Sequence, residues 1–321
     1  MASGYQYTPL PVDGSSIRLL KLLPSATPSS IIECEILTTS LTDPSTLIPY
    51  EALSYTWGAA HPTTEIKLNG HPFAATLNLG AALRALRHSD TPRVLWVDAV
   101  CIDQRNIPEQ GAQVRMMWDI YRAAACVVVW LGPEERNSAV AMADFARRET
   151  QTRLALRQRP MDEPRDSSDA RWCGCHAGDF ETMPPRIGVQ NLLGRRWFTR
   201  VWVLQEVAAA KRVVVACGSS TVDGGDFCRE ILGVASFSTS FNKILRKIRP
   251  AVQLMDSSYS GLHRGQLPLL ELIETYRSWD ATKAVDKVYS LLAFSSDGNA
   301  VPELQPDYSL PPHILAQRII Q

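Results

Sequence analysis

One stretch of the chain decides the fold. Residues 93–132 have the sequence RVLWVDAVCIDQRNIPEQGAQVRMMWDIYRAAACVVVWLG. The first apolar run, at residues 94–97, is short and nearly continuous, which is typical of a strand covered on both faces. From residue 113 the apolar side chains recur at helical spacing, and a second apolar run ends at Gly132. The pattern predicts a βαβ unit whose strands are parallel and whose connection is right-handed.

Polar residues follow the first of these two strands. Asp98, Cys101 and Asp103 come directly after it. Open parallel sheets bind ligands outside the carboxyl ends of their strands, so the loop that begins at Asp98 is a candidate binding site. No histidine lies in a motif that would match Cys101, which favours a buried thiol over a nucleophile.

The composition is that of an ordinary globular protein. The chain has 321 residues, 45% of them hydrophobic, which is enough for one large domain or two modest ones. Lys plus Arg and Asp plus Glu number 33 each, so the net charge is zero and we expect no nucleic-acid partner.

The chain carries no signal that would direct it to a membrane. Its N-terminus has no apolar signal segment, and no apolar run approaches the roughly 20 residues that span a bilayer. We therefore expect no membrane insertion and a cytoplasmic location. The seven cysteines are scattered along the chain, which indicates buried thiols in a reducing compartment.

Short strand and helix patterns surround the opening stretch. Before it we predict an N-terminal β-hairpin, a strand, a second hairpin with a type I′ Asn-Gly turn, and an amphipathic helix. These lie at residues 17–23 with 31–37, at 51–57, at 65–68 with 73–76, and at 79–86. After it we predict helices at 138–158, 197–210, 227–235, 269–276 and 285–294, and a strand at 213–217.

Two regions lack a regular pattern. Residues 159–186 are rich in Pro, Asp, Ser and Gly, which indicates a flexible insertion, and residues 236–265 are weakly patterned. A final helical pattern, HILAQRIIQ, simply stops, so we expect a truncated chain or a piece of a longer protein. The predicted organisation is an N-terminal hairpin extension over 1–49, a core domain over 50–235 and a C-terminal helical segment over 236–321, packed on the core.

Four blocks stand out in order along the chain. They are YEALSYTWG at 50–58, LWVDAVCIDQ at 95–104, QVRMMWDIYRAAACVVVWLG at 113–132 and RRWFTRVWVLQEVAAAKRVVVACG at 195–218. Together they resemble the HET (heterokaryon incompatibility) domain of filamentous fungi. DKVYSLLAF at 286–294 and PDYS at 306–309 resemble that family's C-terminal segment. Asp103 stands where the family more often has Asn, and Gln110 where Arg commonly follows Glu109.

The resemblance implies a role in fungal non-self recognition and programmed cell death. It also implies a distant kinship to TIR (Toll/interleukin-1 receptor) domains, some of which hydrolyse NAD. The expected fold is then α/β, TIR-like or flavodoxin-like, with a central, mostly parallel sheet flanked by helices. LSYTW, LWVDA and VVVWL would be the first three TIR strands. The segment from Trp202 to Glu206 would match the TIR pattern Trp-Cys-x-x-Glu, with Val203 in the Cys position, and Glu206 would be catalytic.

The residue chemistry of Glu206 can be judged without the family. In the predicted helix Glu206 lies at the edge of the buried arc, one turn from Trp202. A carboxylate against an indole is partly desolvated, which raises its pKa and suits it to stabilise the oxocarbenium-like sugar of N-glycosidic cleavage. The alternative is that Glu206 pairs with Arg200, Lys211 or a backbone N-terminus and only fixes the helix.

The other candidate substrate-binding residues also have two interpretations each. Tyr55 and Trp57 suit stacking on an adenine or nicotinamide ring, or they are core aromatics. Asp98 can bind a ribose hydroxyl or cap the following turn, and the same choice holds for Asp103 and Gln104.

A local basic cluster, Arg195, Arg196 and Arg200, lies close to Glu206 in sequence. It can hold a pyrophosphate, or it is the solvated face of a helix start. The motif WCGCH at residues 172–176 has too few ligands for zinc, so we expect no metal site. Glycine-rich GxGxxG and Walker loops are absent from the sequence, so we expect no bound cofactor, and NAD enters only as a substrate.

Two functional hypotheses remain open. In the first, the protein is a TIR-like enzyme that self-associates and cleaves NAD with Glu206. In the second, it is a non-catalytic signalling module that induces death through homotypic assembly and an incompatibility partner protein. A third interpretation, a degenerate copy of such a domain, is also open.

Overall fold

The computed structural model describes residues 4–11, 14–157, 184–235, 239–256, 267–293, 295–298 and 301–320. Within these residues nine strands form one mixed sheet. In chain order they are β1 Ser16–Leu22, β2 Glu33–Ser40, β3 Glu51–Tyr55, β4 Thr63–Leu68, β5 His71–Thr76, β6 Arg93–Trp96, β7 Cys126–Trp130, β8 Val213–Cys217 and β9 Ser220–Asp223.

The same residues include eleven α-helices. They are α1 Leu77–Leu86, α2 Asp98–Cys101, α3 Ile107–Ala123, α4 Ser138–Arg157, α5 Pro184–Leu193, α6 Trp202–Ala208, α7 Gly224–Ala235, α8 Thr239–Leu254, α9 Leu269–Tyr276, α10 Asp286–Leu292 and α11 Pro312–Ile320. A 3₁₀ turn, Arg196–Thr199, precedes α6. Helix α6 packs against α3, α8 and α10, so it joins the central and C-terminal parts of the chain. None of the helices in the described part of the chain is long and apolar enough to cross a membrane.

The strands lie across the sheet in the order β5-β4-β2-β1-β6-β3-β7-β8-β9. The four strands β6, β3, β7 and β8 are parallel to one another. The flanking pairs are antiparallel, except for the short parallel contact between β2 and β4. Because β1 pairs with both β2 and β6, the first two strands continue the central sheet.

The βαβ unit predicted from residues 93–132 is present. Strands β6 and β7 are both parallel to β3, which lies between them. Helix α3 begins earlier than the apolar pattern indicated, because Asn106 accepts a hydrogen bond from the Glu109 amide and Pro108 occupies the first turn. Its predicted apolar face is buried, including Val114 and Tyr121.

The Asn-Gly hairpin is also confirmed. Asn69 has a φ of 49° and Gly70 a φ of 79°, so both central residues occupy the left-handed region that a type I′ turn requires. The turn connects β4 to β5 in antiparallel register. The Asn69 side chain also accepts a hydrogen bond from the Ile36 amide, which ties the turn to β2.

The continuous helix predicted over residues 197–210 is wrong. The backbone forms the 3₁₀ turn, becomes extended at Arg200, and resumes as α6. The cause is a tertiary contact that the local sequence pattern does not predict. Asp280 donates its amide to the Thr199 carbonyl and accepts from the Val201 amide, which holds Arg200 in an isolated parallel bridge.

Three further elements differ from the prediction. Strand β9 and helix α8 fall in segments that sequence periodicity left unassigned. Strand β9 is a short, mostly polar edge strand. Helix α8 contains Pro250, a residue that predicts the end of a helix, although Leu245, Ile248 and Val252 form a buried row. Of the predicted insertion at 159–186, residues 184–186 belong to α5, and the remainder lies outside the described residues.

Candidate functional site

A cavity of about 670 Å³ opens at the carboxyl ends of the parallel strands. Trp57 follows β3 and Asp98 follows β6, and both line the cavity. Among the parallel strands, β6 and β7 follow β3 in the chain, and they lie on opposite sides of β3 in the sheet. Ligands of open α/β sheets bind at such a switch point, and sites for small molecules measure about 300–1,000 Å³. The cavity therefore has the position and size of a small-molecule site.

The floor of this cavity carries a buried carboxylate. Glu206 on α6 is 3% exposed and lines the cavity. The Ser54 hydroxyl, on β3, donates a hydrogen bond to Glu206 Oε2. The Trp197 indole N–H, on the 3₁₀ turn, donates to Ser54 Oγ at 2.8 Å. Three separate elements thus hold Glu206 in a chain of directed hydrogen bonds.

The surroundings of Glu206 raise its pKa from 4.5 to about 7. The main cause is burial, which disfavours the charged form. The positive charge of Arg200 and the Ser54 hydrogen bond oppose this effect, whereas the negative charge of Asp98 adds to it. A carboxyl group with this pKa changes its charge near neutral pH, which is where a general acid or base is most effective.

Asp98 is a second carboxylate with a raised pKa. Burial is again the main cause, and Arg200 and the hydrogen bond from Trp57 oppose it. The Trp57 indole N–H donates to Asp98 Oδ2 at 2.8 Å, and the Ala99 amide donates to Oδ1 at 2.7 Å. The half-exposed Trp57 ring is thereby fixed at the cavity wall by Asp98.

Arg200 acts on both carboxylates from the cavity wall. The extended backbone at this position lets its guanidinium donate to the Tyr55 carbonyl at the end of β3. Its charge lowers the pKa of Glu206 and of Asp98, against the larger effect of burial. Lys211, the other cation considered for Glu206, instead donates to the Ala123 carbonyl.

A line of side-chain hydrogen bonds crosses from the Asp98 segment to the C-terminal part of the chain. Gln104 donates to the Asp98 carbonyl at 2.9 Å, and Gln110 donates to Gln104 Oε1 at 2.8 Å. Lys283 Nζ lies 3.4 Å from Gln110 Oε1 and 4.2 Å from the centre of the Tyr308 ring. The C-terminal residues therefore form one wall of the cavity.

Most of the residues proposed from sequence lie together in this cavity. The lining includes Trp57, Asp98, Gln104, Arg200, Trp202 and Glu206.

Tyr55 and Asp103 do not line the cavity. The Tyr55 side chain is buried, and its hydroxyl lies beside the Asp98 carboxylate, whose pKa it lowers. Asp103 Oδ1 accepts from the Arg105 amide, while its own amide donates to Glu109. Asp103 therefore shapes the turn that leads into α3.

Sequence reasoning missed several participants. Ser54 and Trp197 lie inside the quoted blocks, yet nothing in those patterns pairs them with Glu206. Tyr308 lies in the PDYS block, which the sequence did not connect to the site. Lys283 comes from a segment with no local signal of a site and is 173 residues from its neighbour Gln110. The packing of α6 against α10 and the backbone bonds of Asp280 to Thr199 and Val201 bring the C-terminal segment to the cavity.

Other chemistry suggested by the sequence finds no support in the described residues. Cys101 is buried, and burial raises the pKa of its thiol to about 12, which suppresses the nucleophilic thiolate. The five cysteines in the described ranges are free and buried, as predicted for structural thiols. No group of three His, Cys, Asp or Glu side chains within those ranges could hold a metal ion. The WCGCH motif lies outside them.

The sheet and its cavity define an α/β protein with a ligand-sized site around a buried carboxylate. Residues 50–206 match the family model described as "Heterokaryon incompatibility protein (HET)". Residues 50–206 of the chain are therefore similar to the HET domain.

The chain is also similar to "Heterokaryon incompatibility protein 6, OR allele" from Neurospora crassa. The two are 28% identical over 365 aligned residues, which cover 95% of this chain and 51% of that protein. The chain thus spans about half the length of this relative. No solved structure matches the chain.

Proposed function

We propose that this protein acts in fungal non-self recognition, and that its HET domain induces cell death by hydrolysing NAD. The name of the Neurospora crassa relative, a heterokaryon incompatibility protein, supports the first part. One observation carries the second part: the buried Glu206 carboxylate lies on the floor of a ligand-sized cavity at the carboxyl ends of parallel strands.

The order of the parallel strands supports a TIR-like or flavodoxin-like arrangement. If β3 is counted as the first strand, then β6, β7 and β8 are the second, third and fourth, and their spatial order is 2-1-3-4. This agrees with the first four positions of the flavodoxin-like order 2-1-3-4-5. The flanking strands are then additions to a nucleotide-binding sheet.

The chemistry of NAD hydrolysis suits the charge of Glu206. The bond between ribose C1′ and the nicotinamide nitrogen breaks, and its electron pair leaves with nicotinamide. A carbocation-like sugar forms, which the ionised Glu206 carboxylate stabilises. Water then adds at C1′, and Glu206 takes the released proton as general base. The products are nicotinamide and ADP-ribose, so no oxidant or cofactor is needed.

The neighbours of Glu206 have distinct roles in this proposal. Ser54 and Trp197 fix the carboxylate, and Arg200 keeps part of it ionised near neutral pH. Asp98 presents a second carboxylate, whose remaining acceptor positions suit a ribose hydroxyl. Trp57 and Trp202 offer aromatic surface beside it.

The direct test measures nicotinamide release from NAD by the purified chain at rising protein concentration and with a crowding agent. We expect release to increase more than linearly with protein concentration, because we propose that the chain cleaves NAD when it self-associates. Glu206→Gln removes the charge at nearly constant shape and should abolish release. The matched control is Glu274→Gln, which alters an exposed carboxylate paired with Arg277 and should leave release unchanged.

The competing hypothesis is a non-catalytic module that acts through homotypic assembly and an incompatibility partner protein. Expression of Glu206→Gln in fungal cells separates the two. Loss of killing, with the Glu274→Gln protein still lethal, supports the enzyme. Intact killing by Glu206→Gln, together with no nicotinamide release under any assembly condition, would leave only the signalling module.

A further inference from the structure

Two cations stand at the mouth of the cavity. Arg196 on the 3₁₀ turn and Lys283 on the C-terminal wall both line it, and both side chains are exposed. The Lys283 ammonium contacts only neutral groups among the described residues, the Gln110 amide oxygen and the face of the Tyr308 ring. In that part of the chain, no carboxylate oxygen lies within 4.0 Å of either cation.

The two carboxylates on the same wall, Asp280 and Asp286, accept hydrogen bonds from other protein groups. Asp280 Oδ2 accepts from the Thr199 hydroxyl at 2.5 Å. Asp286 accepts from the Tyr308 hydroxyl at 2.8 Å and from the Lys283 backbone amide at 3.2 Å. These hydrogen bonds hold both carboxylates toward the protein. The ammonium and guanidinium donors therefore remain available to a ligand.

The cavity consequently has a gradient of charge. Its floor holds Glu206, and Asp98 lies on the wall, with the one cation Arg200 acting on both carboxylates, whereas the mouth holds the cations Arg196 and Lys283. A ligand that fits this gradient carries a cationic or cation-forming end inward and an anionic group farther out. NAD has this pattern, with a positive nicotinamide ring at one end and a pyrophosphate in the middle.

We infer that Arg196 and Lys283 bind the phosphate groups of the ligand, so that Lys283, outside the matched HET residues 50–206, is a ligand-binding residue. The identification of the ligand as NAD rests on the proposed function. The binding of a phosphate-bearing nucleotide at the mouth of the cavity does not depend on the proposed function. Arg and Lys are the side chains that most often bind phosphate, through charge-assisted hydrogen bonds.

The test measures the affinity of ADP-ribose by calorimetry for the wild-type chain, Lys283→Met and Arg196→Met. Removal of one charged hydrogen bond to phosphate weakens binding by roughly tenfold or more. Lys211→Met is the matched control, because Lys211 is exposed and bonds the Ala123 carbonyl instead. Nicotinamide riboside, which lacks phosphate, should bind wild type and Lys283→Met equally. Thermal unfolding of each variant verifies folding.

The outcomes separate this inference from the proposed function. If ADP-ribose binding depends on Lys283 but no nicotinamide is ever released, the phosphate site stands and NAD hydrolysis fails. If nicotinamide is released with the same KM by wild type and Lys283→Met, hydrolysis stands and the phosphate site is overturned. Failure of wild type to bind ADP-ribose at millimolar concentration also overturns it.

Discussion

At the scale of single residues, the protonation of Glu206 links the stability of the fold to pH. Its pKa is raised in the folded state, so the folded chain holds this proton more tightly than the unfolded chain. Stability should therefore fall as pH rises from 4.5 through 7. One unit of pKa corresponds to about 1.4 kcal/mol, so the shift from 4.5 to about 7 costs up to about 3 kcal/mol above pH 7.

Glu206→Gln removes this titration. We expect the variant to gain stability relative to wild type by up to about 3 kcal/mol at pH 8, and much less at pH 5, on the same linkage. Urea unfolding of both proteins at the two pH values measures the difference. An equal effect at pH 5 and pH 8 would mean that Glu206 titrates normally in the folded chain.

Ser54 tunes the same carboxylate. Its hydrogen bond lowers the pKa of Glu206, so Ser54→Ala should move the rising limb of nicotinamide release, expected near pH 7, to higher pH. The variant also leaves the Trp197 N–H without its acceptor, which costs about 1–3 kcal/mol of stability. Trp197→Phe keeps the Ser54 donor to Glu206 and should shift the limb less. An unmoved limb in Ser54→Ala would exclude Glu206 as the titrating group.

From the sequence, Glu206 was a candidate catalytic residue and Arg200 a candidate partner, but the hydrogen-bond partner Ser54 was not predicted. The sequence assigned the desolvating indole to Trp202, one helical turn away. Trp202 does line the cavity, yet the indole in the hydrogen-bond chain is Trp197, which acts through Ser54 on another strand. A helical wheel relates only residues on one helix, so it could not find a partner contributed by the sheet.

At the scale of elements, a buried ion pair fixes the segment that carries Asp98 and Gln104. Arg18 on β1 is 2% exposed and pairs with Glu109 on α3 at 2.5 Å. The same guanidinium donates to the carbonyls of Cys101 and Thr8. The Arg18 guanidinium therefore joins β1, α3 and the segment between β6 and α3.

Loss of Arg18 should be costly. Arg18→Met leaves Glu109 buried without its partner, and breaking a buried pair in this way costs about 3–5 kcal/mol. Lys21→Met is a matched control on the same strand, because Lys21 pairs with Glu35 on the surface, where such a pair contributes about 1 kcal/mol or less. Urea unfolding compares the two. Equal costs would show that Arg18 is not a structural anchor.

Sequence patterns predicted the elements whose signal lies in their own residues. The apolar runs of β6 and β7, the spacing in α3 and the Asn69-Gly70 turn are all confirmed. The failures are elements shaped by distant contacts. The backbone at Arg200 is extended because the Asp280 backbone bonds to Thr199 and Val201, the neighbours of Arg200. This contact joins two segments that are far apart in sequence.

At the scale of the whole molecule, the cavity is assembled from two parts of the chain. The floor and part of the walls lie within residues 50–206, which match the HET family, and the C-terminal wall lies within residues 280–308. The packing of α6 against α10 holds the two walls together. A ligand that fills the cavity should therefore stabilise both walls at once.

Amide hydrogen exchange tests this coupling. Binding of ADP-ribose should slow exchange at residues 98–104 and at residues 280–286 together, because local opening of either wall then requires loss of the bound ligand. The β4–β5 hairpin, at the far end of the sheet order, serves as the internal control and should not change. Protection confined to residues 98–104 would show that the ligand does not reach the C-terminal wall. In Lys283→Met, protection of both segments should fall at a fixed ADP-ribose concentration, because less of the variant is occupied.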